Sequence, residues 1–218
     1  MKTLIILLLI VIVGSVYFYY DFEPADVPTE VTVAELDVVN EAPTSTPAVS
    51  AKPQLKTFSN AEYDFSFDYR IKPYGYSVFE NTAEQNLDQN MLFGATLVRT
   101  DDYNESVKAA EEGNAHDGPP AMSVYVFAAE NVKDVGVWLT QNKIITNCEP
   151  GSVKASTISG KDASSCLWDG LYLGVTTAVL NNDKIYVLTG TRESSETKDG
   201  YSYEKDFNEV VSSFELSK

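Results

Sequence analysis

The chain of 218 residues carries 32 acidic and 16 basic side chains, a formal net charge of −16. Binding to a phosphate backbone needs clustered Lys and Arg, which this composition lacks, so nucleic acid and anionic lipid headgroups are excluded as partners. Of the basic residues only Lys2 precedes residue 21 and every acid follows it, so the remainder carries 15 − 32 = −17. Positively charged ligands, divalent cations and basic protein surfaces remain open.

Met1-Lys2-Thr3 opens onto an apolar and aromatic run from Leu4 to Tyr20, closed by Asp21 and Glu23. Roughly 17 residues make about 26 Å of helix, near the lower limit for crossing a hydrocarbon core of about 30 Å. Tyr17, Phe18, Tyr19 and Tyr20 sit where an aromatic belt meets the outer interface, which favours retention as an anchor. Lys2 ahead of the run and acids behind it keep the amino end in the cytoplasm and place the body outside. Residues 1–21 are thus expected to be a membrane anchor or uncleaved signal. The alternative is a secretory signal cut near Val13-Gly14-Ser15, which would release a soluble protein. No cysteine follows the run, so lipoprotein processing is excluded.

Residues 22–57 read as a linker. Pro24, Pro28, Pro43, Pro47 and Pro53 interrupt any helix or central strand, and the interspersed acids repel one another, giving an average reach of roughly 30 to 35 Å. Glu30 to Val39 alternates only weakly. A globular domain is expected over 58–218, long enough for one substantial core.

The domain opens on a strand in which Tyr63, Phe65, Phe67 and Tyr69 alternate with polar residues at period two. Further strands are expected at Tyr76 to Phe79, Met91 to Arg99 and Met122 to Ala129. Next comes a helix capped by Asn131, with Val132, Val135, Trp138 and Leu139 along one side. Strands resume at Val153 to Ile158, then, after a turn at Ser159 to Asp162, at Ala163 to Trp168. Leu171 to Leu180 and Lys184 to Thr191 form a hairpin about Asn181-Asn182-Asp183. A last helix sets Tyr203, Phe207, Val210, Val211 and Phe214 on one stripe while Glu204, Lys205, Asn208 and Glu209 face away. The pattern predicts an α+β sandwich with a mainly antiparallel sheet flanked by helices.

Cys148 and Cys166 are the only cysteines, and in an oxidising compartment they are expected to pair, closing a loop worth about 3 kcal/mol. They lack the Cys-x-x-Cys spacing of a redox pair, and neither has an evident base. His116, the single histidine, is expected from the composition around it to lie in a flexible, exposed loop. One His and two distant Cys fall short of a zinc site. Neither a nucleophile elbow nor a phosphate-binding glycine loop is present. Asp101, Asp102, Glu105, Glu111, Glu112 and Asp117 gather in one connection. A calcium loop starting at Asp102 would place Gly113 where the twelfth-position glutamate belongs, so a divalent cation has no motif behind it. A solvated, partly helical acidic face that, with His116, forms a partner-contact loop is the expectation. Paired carboxylates of a hydrolase are the alternative, but nothing singles out a pair.

The stretch Tyr63-Asp64-Phe65-Ser66-Phe67-Asp68-Tyr69, with Pro73 and Tyr74-Gly75-Tyr76, resembles the opening of PsbP-like domains. Ile185-Tyr186-Val187-Leu188-Thr189-Gly190-Thr191 and Asp206-Phe207-Asn208-Glu209-Val210-Val211-Ser212-Ser213-Phe214 resemble their close. The resemblance implies a PsbP-like sandwich and a non-enzymatic role in binding or assembly. The sequence therefore leads to a tethered extracytoplasmic binding or scaffolding domain, with no cofactor and with another envelope protein as partner.

Overall fold

The computed structural model describes residues 52–81, 90–114, 118–142, 147–192 and 202–217, all within the compact unit Ala48–Lys218. The apolar run Leu4 to Tyr20 lies outside them, as do the stretch Glu30 to Val39 and both His116 and Asp117. Among the described residues no helix is long and apolar enough to cross a membrane.

Among the described residues, two antiparallel sheets and three helices form the fold. The small sheet joins β1 (Gln54–Asn60), β2 (Phe65–Lys72) and β10 (Glu215–Leu216), with β2 central. The large one has seven strands: β3 (Tyr76–Glu80), β4 (Met91–Arg99), β5 (Ala121–Ala128), β6 (Lys154–Ile158), β7 (Lys161–Trp168), β8 (Gly174–Asn181) and β9 (Lys184–Thr191). Their spatial order is β3-β4-β5-β9-β8-β7-β6, antiparallel throughout. The helices are α1 (Thr100–Glu111), α2 (Val135–Gln141) and α3 (Tyr203–Ser213). The expected α+β class, mainly antiparallel sheet with flanking helices, is what the structure has.

The alternation of side chains along each strand divides the core in two. Tyr186 and Leu188 of β9 face a cluster with Phe65, Phe67, Phe207 and Phe214, whereas Ile185 and Val187 face Phe127, Val135 and Leu139. The small sheet and α3 cover the first face, and α3 lies against both β2 and β9. Gly190 lets it close up: a Cβ there would stand 2.5 Å from the Phe207 ring. The second face carries α2 over β7 and β8. Each fully buried aromatic or aliphatic side chain here is worth about 1.5 to 3 kcal/mol of transfer free energy.

Three local expectations are corrected. The cap of α2 is Asp134, whose side chain accepts the Val137 N–H at 3.0 Å, while Asn131 sits earlier in a turn at φ 64°. Ordered strand begins at Gln54, inside the stretch read as linker, because β1 pairs through its backbone while leaving most side chains in water. Leu171 to Leu173 are not strand: β8 starts at Gly174, which packs directly under the Trp168 indole. The connection after β4 opens with twelve residues of helix, α1, in keeping with the partly helical acidic face expected there. The β6–β7 and β8–β9 turns are each two residues long. Ser159-Gly160 has φ of 52° and 72°, and Asn182, at 57°, occupies the left-handed region that asparagine tolerates.

Candidate functional site

Three charged side chains are buried together at the end of the large sheet. Arg70 on β2, Arg99 at the end of β4 and Asp206 on α3 are 2%, 4% and 3% exposed. Asp206 lies on the buried stripe of α3 with Tyr203, Phe207 and Val210, which brings its carboxylate against both arginines. Oδ1 meets Arg70 Nη2 at 2.6 Å, and Oδ2 meets Arg99 Nη2 at 3.1 Å. The Tyr76 hydroxyl donates to Oδ2 at 2.8 Å and accepts from Arg99 Nε at 3.3 Å. Arg70 also reaches Glu209, one turn further along α3, at 3.1 Å. The Arg99 guanidinium lies 4.0 Å from the centre of the Tyr203 ring, and the Tyr203 hydroxyl donates to Asp102 in the first turn of α1.

The electrostatics follow from burial. Burial, then the neighbouring Asp206 charge, pushes the Tyr76 hydroxyl far above the usual tyrosine range, so it stays a donor. Tyr203 is raised for the same first reason, reinforced by its hydrogen bond to Asp102. Burial opposes the charge on Arg99, but its contacts with Tyr76, Tyr203 and Asp206 outweigh it and hold its pKa above the ordinary value. A buried arginine is tolerable when its fork is met by fixed acceptors and by the face of a ring. Its members come from five elements, so the cluster fastens β2, β3, β4, α1 and α3 together. A cavity of ≈ 170 Å³ adjoins it, walled by Leu55, Tyr69, Arg70, Met122, Glu209 and Ser213. There Asp206 faces Arg70 through Oδ1 and Arg99 and Tyr76 through Oδ2.

The sequence-derived site residues have separate fates. Cys148 and Cys166 are bonded, with Cα atoms 5.6 Å apart, and the bond ties the segment after α2 to β7. Asp101, Glu105, Glu111 and Glu112 are exposed along α1, and Glu112 stands 3.9 Å from Lys108. Asp102 turns inward to Tyr203. The carboxylates therefore spread along a helix face instead of converging, and among the described residues no three potential ligands come together to hold a metal. Asp101 and Asp102 in the first turn complement the positive end of the helix dipole.

α1 buries none of its twelve residues. Tyr103 and Val107, one turn apart, remain 39% and 40% exposed, and Tyr103 rests against Phe79 of β3 at 4.8 Å between ring centres. Leu171 and Leu173 protrude nearby in the fold at 64% and 60% exposure. Their loop is held at both flanks: the Tyr172 hydroxyl donates to Gly118 O at 3.1 Å, and Arg192 N–H to Leu173 O at 2.7 Å. The strand register sets Val98 opposite Ala121, Met122 opposite Gly190, and Gly174 between Thr191 and Trp168 at one end of the sheet, so α1 and this loop leave the sheet from the same end.

No family model and no curated protein matches the chain. Among solved structures the chain is similar to the solution structure of cyanobacterial PsbP (CyanoP) from Synechocystis sp. PCC 6803. That similarity has 13% identity and a TM-score of 0.47, and covers 80% of this chain and 99% of that one. It is also similar to a crystal structure from Bacteroides thetaiotaomicron VPI-5482, with 15% identity, a TM-score of 0.42, 75% of this chain and 48% of that one covered. This chain thus spans about half the length of the second structure. The first is a PsbP protein, the family that residues 63–76 and 185–214 resemble.

Proposed function

We propose that the chain is a membrane-tethered extracytoplasmic domain that binds a partner protein in an envelope assembly, without catalysing a reaction. Its amino terminus stays in the cytoplasm, residues 1–21 cross the membrane once, and the acidic face of α1 meets the partner. The observation that carries this reading is α1 itself. A surface helix of a self-sufficient domain normally buries an apolar stripe against its own core, whereas here Tyr103 and Val107 stay 39% and 40% exposed on a helix that buries none of its residues. An exposed apolar pair on a helix that also carries Asp101, Glu105 and Glu111 suits a protein surface of the opposite charge. The Cys148–Cys166 bond suits an oxidising compartment. The buried charges support the same reading, since they are spent on holding elements together.

Chemical crosslinking in intact cells followed by mass spectrometry tests it. One recurrent protein should be captured by the tethered chain and lost when Asp101 and Glu105 are both changed to lysine. Repeated failure to capture any protein with a well-expressed chain, or capture indifferent to that charge reversal, refutes the reading.

A further inference from the structure

β3 is an edge strand of the large sheet, and among the described residues no strand pairs with its outer side. The alternation of an antiparallel pair decides which groups face out. Asn81 N–H donates to Gly94 O at 2.8 Å, and Thr100 N–H to Gly75 O at 2.9 Å. With Ser77 opposite Val98 and Phe79 opposite Thr96, it is the odd-numbered residues that bond to β4. The N–H and C=O groups of Val78 and Glu80 therefore point away from the sheet, and among the described residues no strand pairs with them. Natural proteins blunt such edges with lysine, proline, bulges or a cover. β3, Tyr-Ser-Val-Phe-Glu, has none of lysine, proline or a register shift.

Phe79 and Ser77 point to the face where α1 lies, through Tyr103 and through the Ser77–Thr100 hydroxyl pair at 2.9 Å. A strand added beside β3 would set alternate side chains against Phe79 and the flank of α1, and the side chains between them on the opposite face of the sheet beside the Glu80 carboxylate. Charge then selects the occupant. A second copy of this chain would bring its own net charge of −16, so self-pairing is opposed, whereas lysine or arginine is attracted.

Resting on the binding reading above, we infer that β3 is the docking edge, and that the partner supplies an extended segment alternating basic and apolar residues, added as an eighth strand. This is strand addition, in which main-chain hydrogen bonds provide affinity and alternate side chains provide selectivity.

The test uses the full-length chain in detergent micelles and a fluorescein-labelled Lys-Val-Lys-Val-Lys-Val peptide, read by anisotropy and by amide hydrogen exchange. The peptide should bind, weaken with added salt, and slow exchange at Val78 and Glu80. Its Glu-Val counterpart should bind at least about tenfold more weakly. Glu80→Pro removes an outward N–H while sparing the bonds to β4, and should cost about tenfold in affinity with an unchanged unfolding midpoint. Glu80→Lys, which keeps the backbone, should weaken the lysine peptide several-fold. Equal binding of the two peptides, indifference to both variants, protection confined to other strands, or dimerisation through β3 would each overturn the inference. In-cell crosslinking separates this failure from that of the binding reading. A partner captured as strongly by Glu80→Pro as by the wild type leaves a binding domain and removes the β3 edge from it.

Discussion

Replacing Asp206 by alanine removes the one buried anion that faces two buried arginines. Arg70 and Arg99 would then remain 2% and 4% exposed without the carboxylate that meets them at 2.6 and 3.1 Å, and the Tyr76 hydroxyl would lose its acceptor at 2.8 Å. Glu209 offsets part of this loss for Arg70, but its side chain is 42% exposed and its attraction correspondingly screened. Breaking a buried pair on one side costs about 3 to 5 kcal/mol, because the remaining charge stays desolvated. For a domain of this size that is a fall of about 6 to 20 °C in Tm. Chemical denaturation followed by circular dichroism measures it, with Glu204→Ala as control: the Arg192–Glu204 pair is 44% and 36% exposed and is worth about 0 to 1 kcal/mol. Asp206→Asn should fall between the two, keeping an acceptor but no charge. A combined Arg70→Met, Arg99→Met, Asp206→Leu variant should recover most of the loss. If Asp206→Ala stays within about 1 kcal/mol of wild type, the cluster is not the strut described here.

Two further outcomes follow from the same structure. Changing Cys148 and Cys166 to serine opens a loop with a sequence separation of 18 and should cost about 3 kcal/mol, measured as a shift in denaturation midpoint under non-reducing conditions; a shift under about 1 kcal/mol would refute the stapling role. Tyr76 and Tyr203 keep their protons in the folded state well above the value at which an unfolded tyrosine ionises. A raised folded pKa gives stability that is complete below pH about 10 and is lost as pH rises beyond it, because only the unfolded chain then releases the proton. Tyr76 alone should contribute a slope of about 1.4 kcal/mol per pH unit, with a smaller addition from Tyr203. Denaturation midpoints measured across this range should fall steeply, and Tyr203→Phe should flatten the fall; a flat profile would contradict the burial of these hydroxyls.

Where one face of an element is buried and the other wet, sequence and structure agree. Met91–Arg99 and Lys184–Thr191 have the strand bounds that their patterns predict, and α3 buries Tyr203, Phe207 and Val210 on its stripe. β1 was illegible because Gln54 to Thr57 are all exposed, so no alternation marks them. Arg70 escaped for the opposite reason: it is buried beside buried Tyr69, breaking the parity of its strand. Asp206 had a visible signal, an acid one position before Phe207 on the stripe that α3 buries. Its partners had none, since the contacts of α3 with Arg70 and Arg99 span sequence separations of 139 and 107. Of the expected contact residues, those on α1 lie on one exposed helix, and its apolar component went unread because Tyr103 and Val107 acquire meaning only once the helix is seen to bury nothing.

The most direct test of the binding surface is a photocrosslinking amino acid placed, in turn, at Asn104 on α1 and at Lys154 on β6, at the opposite edge of the large sheet. In intact cells the account predicts one discrete crosslinked protein from Asn104 and none from Lys154. Equal capture from both positions, or capture from Lys154 alone, would contradict it.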